Sequence, residues 1–182
     1  MHASADEVEL TRKERLLLWN QYSILEAIQP KDSAYYQKLK TILERGYKLH
    51  YQDLLPHIDE DEFSDKDARE VIGILGMFEV LQDSLANVGD MEGVEDYMLR
   101  FAGFDGNNES DQLGYLRFLV KQQERFKHVV ADLRDYNSHA PLLTAYRKML
   151  ERYERLGSPR LLGAEGLKEL ASVWQRPEDE DA

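Results

Sequence analysis

The chain has 182 residues, enough to bury a substantial core, with 42% hydrophobic and 32% charged residues. Its formal net charge of -12 repels phosphate backbones and anionic lipid, so neither nucleic acid nor a membrane surface is an expected partner. It has no cysteine, which removes thiol nucleophiles, disulfides and cysteine-based zinc sites.

Residues 1–9 are expected to form a flexible acidic tail. They lack the charged and apolar regions of a secretory leader. No apolar run reaches membrane-spanning length, and a cytoplasmic location is expected. Thr11-x-x-Glu14 is a capping box that opens a first helix, and Pro30 ends it. Leu17, Leu18, Ile24, Leu25 and Ile28 form its expected buried face, with Gln21 in the middle. Leu16 and Trp19 point the other way. Asp32 or Ser33 caps a second helix with Tyr35, Tyr36, Leu39, Ile42 and Leu43 as its apolar stripe. Gly46 marks a stop or a kink before Tyr47, His50 and Leu54. Pro56 then ends the segment, and residues 57–67 read as an acidic loop.

Ser64-x-x-Asp67 opens a third helix running to about Ala86. Val71, Ile74, Leu75, Phe78, Leu81 and Leu85 occupy one side, and Ile72, Met77 and Val80 another. A helix apolar over most of its circumference is central in its domain. Gly73 and Gly76 within it are expected to admit a neighbouring backbone. Residues 94–101 read as a short helix, and Gly103 to Glu109 as a tight turn. Leu113, Leu116 and Val120 then define a helix to about Gln123. Residues 126–140 carry no clear period, and Asp135, Asn137, Ser138 and His139 argue for a loop. Pro141 suits the first position of a helix. That helix carries Leu142, Ala145, Tyr146, Met149, Leu150, Tyr153 and Leu156. A last helix spans about Ala164 to Trp174, followed by a flexible acidic tail over 175–182. The expected fold is all-α: one compact multi-helix domain over 10–174 with a central apolar helix.

The turn Asp105-Gly106-Asn107-Asn108-Glu109 is the densest polar cluster beside an apolar segment. Asp105, Asn107 and Glu109 could converge on a cation or a small polar ligand. The turn resembles a calcium loop only superficially, because Ser110 stands where glycine is required and Leu116 where a bidentate glutamate is required. The favoured alternative is that Asp105 and Asn107 bond their own backbone, and that Glu109 or Ser110 supports the start of the next helix. Gln21 is a second polar candidate, since an amide on an apolar face needs partners; an inter-helix hydrogen bond is favoured over a ligand contact. The histidines His2, His50, His57, His128 and His139 are too loosely spaced to specify a metal, and none is expected. No nucleophile elbow, P-loop or dinucleotide fingerprint is present. No catalytic residue and no cofactor are therefore assigned.

Several short motifs in fixed order resemble the YfbU family of bacterial helical proteins. They are Asn20-Gln21-Tyr22, Glu44-Arg45-Gly46-Tyr47, Phe104-Asp105 after Gly103, Gly114-Tyr115 with Arg117-Phe118, and Tyr146 with Met149-Leu150. The resemblance covers roughly residues 10 to 174. The chain departs from it at Glu124-Arg125-Phe126, where the family pattern is Gly-Arg-Tyr. The resemblance implies an all-helical fold and supplies no catalytic residues. Some relatives are joined to helix-turn-helix segments, which suggests sensing or ligand binding by analogy.

The leading expectation is a non-enzymatic protein acting through protein binding or self-association, as a homo-oligomer. Leu16 and Trp19 are the candidate interface, with burial by another part of the same chain an equal alternative. The rival expectation is a small-molecule or metal-ion sensing domain with the Asp105–Glu109 turn as its site.

Overall fold

Helical spacing of apolar residues organises almost every element of the computed structural model, which describes residues 8–55, 62–89 and 91–174. The α-helices are α1 (Arg12–Ile28), α2 (Ser33–Arg45), α3 (Asp65–Val88), α4 (Ser110–Lys121), α5 (Leu143–Arg155) and α6 (Ala164–Ala171). Short 3-10 turns cover Pro30–Asp32, Lys48–Leu54, Asp96–Leu99 and Ser172–Trp174. The described residues contain no strand, and the fold is all-α. The chain divides into two compact units, residues 1–62 and 63–182. The sequence expectation of one domain drew no boundary there. The expected frayed start falls largely, and Pro56, residues 57–61 of the acidic loop and the acidic tail fall wholly, outside the described residues, while residues 65–67 of that loop already belong to a helix.

The first unit is a helical hairpin. Thr11 caps α1 as expected: its hydroxyl accepts from the Glu14 amide at 3.3 Å, and its own amide donates to Glu14 Oε2 at 2.7 Å. Gly46 stops α2 in a left-handed conformation at φ +67°, where a glycine carries no Cβ penalty. The restart beyond it is the 3-10 turn Lys48–Leu54. Leu39, Ile42, Leu43, Tyr51 and Leu54 form the core of this unit, with Leu18, Trp19 and Tyr22 packed on it.

The facing of α1 corrects the sequence expectation. Leu17, Ile24 and Ile28, read as core, are exposed, and no residue of α1 is fully buried. Apolar residues surround most of this helix, so periodicity alone supports two faces. Polar ties select between them. Arg15 donates to the Leu43 carbonyl at 2.9 Å. Glu26 accepts from Lys40 at 2.5 Å, Ser33 at 2.8 Å and Gln37 at 2.9 Å. Lys40 foremost, then Ser33 and Gln37, hold the Glu26 carboxyl down to about 2. These residues share a side of α1 with Trp19 and Tyr22, and they bring that side onto α2.

The second unit is built around α3. Ser64 caps it by accepting from the Asp67 amide at 3.1 Å. Val71, Ile74, Leu75, Met77, Phe78 and Leu81 are completely enclosed. They pack with buried residues of α4, α5 and α6, including Leu116, Tyr146, Met149 and Leu167. Ser84, also buried, accepts from the Leu162 amide at 2.9 Å. α3 has 24 residues, and its most apolar 18-residue window has a mean hydropathy of 1.3, so by length and composition alone it could cross a membrane. The expectation of no such segment counted contiguous apolar residues only. In this structure α3 serves as the core helix of its unit.

Three local expectations change. The glycines of α3 do not admit a backbone: a Cβ at Gly73 would meet the Leu150 side chain at 3.3 Å, and one at Gly76 would meet nothing within 4 Å. Gly76→Ala is therefore expected to stabilise the protein by about 0.5–1 kcal/mol, because alanine restricts the unfolded chain and suits a helix interior. Chemical denaturation measures this, and a loss of stability would show that the site is tighter than the structure has it. The short helix expected over 94–101 is only the turn Asp96–Leu99. Pro141 lies ahead of α5 rather than at its first position, since the helix begins at Leu143 with Leu142 as its N-cap.

Candidate functional site

The Asp105 turn sits on an aromatic cluster. Phe78, Phe101 and Phe104 surround Tyr146 with ring centroids 5.1, 5.4 and 5.9 Å away. The Tyr146 hydroxyl accepts from the Ala102 amide at 3.1 Å, and burial pushes its pKa up. Gly103 follows at φ +99°; a Cβ there would lie 2.2 Å from the Tyr136 carbonyl oxygen. That close approach allows an isolated parallel bridge between Phe104 and Asn137. Phe104 N donates to Tyr136 O at 3.2 Å, and Ser138 N to Phe104 O at 3.1 Å.

Every polar group that the sequence placed in this turn has a partner nearby or a place in water. Asp105 is 2% exposed and Glu109 4%. Asp105 accepts from the Asn107 amide at 3.3 Å and from the Asn108 side chain. The Asn108 bond is the main cause that lowers its pKa. Glu109 accepts twice: from the Asp105 amide at 2.9 Å and from the Leu143 amide at 2.6 Å. Leu143 is the first residue of α5, where a helix leaves amides without intrahelical partners. Glu109 thus supports the start of α5, not of α4 as expected. Asn107 points to solvent. Asn137, named in the sequence only as a loop-former and not as a site residue, accepts from the Gly106 amide at 3.1 Å and the His139 amide at 2.9 Å. Its position in an aperiodic stretch gave no signal beyond its being a turn-former.

Gln21 belongs to a different unit from this turn. It is exposed, so the requirement for a buried partner does not arise. Among the described residues, no group of three His, Asp or Glu side chains could hold a metal ion. His50 pairs with Asp53 at 3.7 Å and His128 with Glu79 at 3.0 Å; His2 and His57 lie outside the described residues. Among the described residues, no buried side-chain nitrogen or oxygen lacks a hydrogen-bond partner. An ion at Asp105 would have to displace these bonds. Asp105→Asn is expected to leave the melting temperature nearly unchanged, with or without millimolar calcium, as its oxygen can still accept from the Asn107 amide and its NH2 can donate to the Asn108 side-chain oxygen once that amide flips. A calcium-dependent rise in the parent that Asp105→Asn abolishes would establish an ion site instead.

The first unit carries the other candidates. Trp19 is half-buried against α2, with Lys40 Nζ 5.3 Å from its ring centroid. Of the two readings open for Trp19, packing by its own chain is the one the structure shows, with α2 supplying the cover. Leu16 is exposed and borders a groove of about 360 Å³ lined with Arg12, Arg15, Trp19, Leu43 and Glu44. Besides Leu16, three apolar residues are exposed on the outer side of α1: Leu17 at 62%, Ile24 at 59% and Ile28 at 68%. Apolar periodicity alone predicts an inward facing for these three residues. Their spacing with Gln21, at positions 17, 21, 24 and 28, is that of a helix-pair seam, which was the available signal.

At Glu124, where the family pattern places glycine, the backbone has φ +59°, and Phe126 follows at +57°. The chain keeps the glycine-like turn with a side chain that rarely adopts it. The family model described as the YfbU domain matches residues 8–172, and the chain belongs to the YfbU family.

Proposed function

We propose that this is a non-enzymatic cytoplasmic protein that acts by binding protein, in the first place a second copy of itself, through the outer side of α1. The observation that carries this reading is the stripe Leu17, Ile24 and Ile28 on a helix that buries none of its residues. Isolated apolar residues on a surface are ordinary, whereas several aligned on one helix mark a contact surface.

Sedimentation of the parent chain over a wide concentration range tests the proposal. A mass of at least twice the chain mass is expected, falling on dilution. A monomer at every concentration would reject it. The rival reading, small-molecule or metal-ion sensing at the Asp105–Glu109 turn, has weaker support because the two carboxylates are occupied by local donors.

A further inference from the structure

We propose that the groove between the start of α1 and the end of α2 binds a small apolar monocarboxylate: one carboxylate carried on an aliphatic or aromatic body. The site is separate from the outer side of α1 and does not depend on self-association. Its volume of about 360 Å³ suits a small ligand. Arg12 and Arg15 line it from α1. Arg15 is half-buried and donates Nη1 to the Leu43 carbonyl at 2.9 Å. A Cβ at Gly46 would lie 2.8 Å from the same Nη1, so the glycine that ends α2 also makes room for this guanidinium. A guanidinium carries more donors than one carbonyl takes. Arg15 is therefore fixed in place with donors to spare, and a donor held in advance costs little to engage. Arg12 is exposed and has no hydrogen bond or ion pair among the described residues. Paired N–H groups of this kind match the two oxygens of a carboxylate.

The remaining wall sets what the carboxylate is attached to and how much charge it brings. Leu43 is buried, Trp19 is half-buried, and Leu16 stands exposed at the rim. An apolar body laid along them would take Leu16 out of water. Glu44 also lines the groove, exposed and without a partner among the described residues. Two guanidiniums against one carboxylate leave a single excess positive charge. A second negative charge on the ligand would meet Glu44 or the apolar wall. The chain's net charge of -12 repels larger polyanions from the same place.

Octanoate serves as the probe, titrated into the parent chain and followed by the indole N–H resonances of its two tryptophans. A saturable shift at Trp19 and not at Trp174 is expected, with octanol binding at least several-fold more weakly. No saturable shift at Trp19, or equal binding of octanol, would overturn the proposal. Arg12→Gln changes an exposed residue without partners, so the melting temperature of the free protein should stay the same while the octanoate dissociation constant rises several-fold. Glu44→Gln is expected to lower that constant several-fold and to admit octanedioate, which the parent should exclude. Unchanged octanoate affinity in either variant would overturn the assignment of the carboxylate to this groove. Leu17→Ser/Ile24→Ser is expected to bind octanoate as the parent does. Loss of binding there would place the ligand on the outer side of α1 and overturn the site.

Discussion

Replacing Phe78 with alanine is expected to lower the free energy of unfolding by about 3–5 kcal/mol. Phe78 has no solvent exposure and lies on the central helix of its unit. Its ring centroid is 5.3 Å from Phe101 and 5.1 Å from Tyr146. Truncation removes the transfer energy of the ring, and the surrounding aromatics cannot close the void without leaving their rotamers. Those same aromatics support the Asp105 turn, so the loss should extend to it. Urea denaturation followed by circular dichroism gives the number. A change below about 1 kcal/mol, the scale of exposed sites, would place the ring outside the core.

Glu109→Ala has the next largest expected effect, about 2–4 kcal/mol, because two buried amides lose their acceptor together. One belongs to Asp105 and the other to Leu143 at the start of α5. Glu109→Gln retains one oxygen acceptor and is expected to cost less than half as much. Amide exchange locates the damage: faster exchange at Asp105 and Leu143 is expected. Unchanged exchange at Leu143 would mean that Glu109 does not anchor α5.

How far these features could be read from sequence depends on how local their causes are. α3 was legible because Ser64, Asp67 and a 3.6-residue apolar period all agree within one segment. The Thr11 capping box was legible for the same reason. On α1 the apolar residues Leu16 to Trp19 are contiguous, and the choice of inner face depends on Arg15 and Glu26 finding partners on α2. Periodicity does not carry that information. The polar turn at Asp105 was visible as a cluster, yet the role of Glu109 depends on an amide 34 residues away. The stretch over 124–139 was illegible because Glu124, Phe126, Tyr136 and His139 adopt left-handed backbone without being glycine. Tertiary bonds such as that of Asn137 to Gly106 hold part of it in place.

The outer side of α1 is best tested by the mass in solution of Leu17→Ser/Ile24→Ser, compared with Leu16→Ser/Trp19→Ser. Leu17 and Ile24 are exposed, so their replacement should preserve the helical circular dichroism and the melting temperature of the monomer while reducing the assembly to single chains. The Leu16 and Trp19 pair should instead lower the melting temperature, because Trp19 packs on the core of the first unit. A Leu17→Ser/Ile24→Ser protein that keeps the parent's oligomeric mass would contradict self-association through this side of the helix.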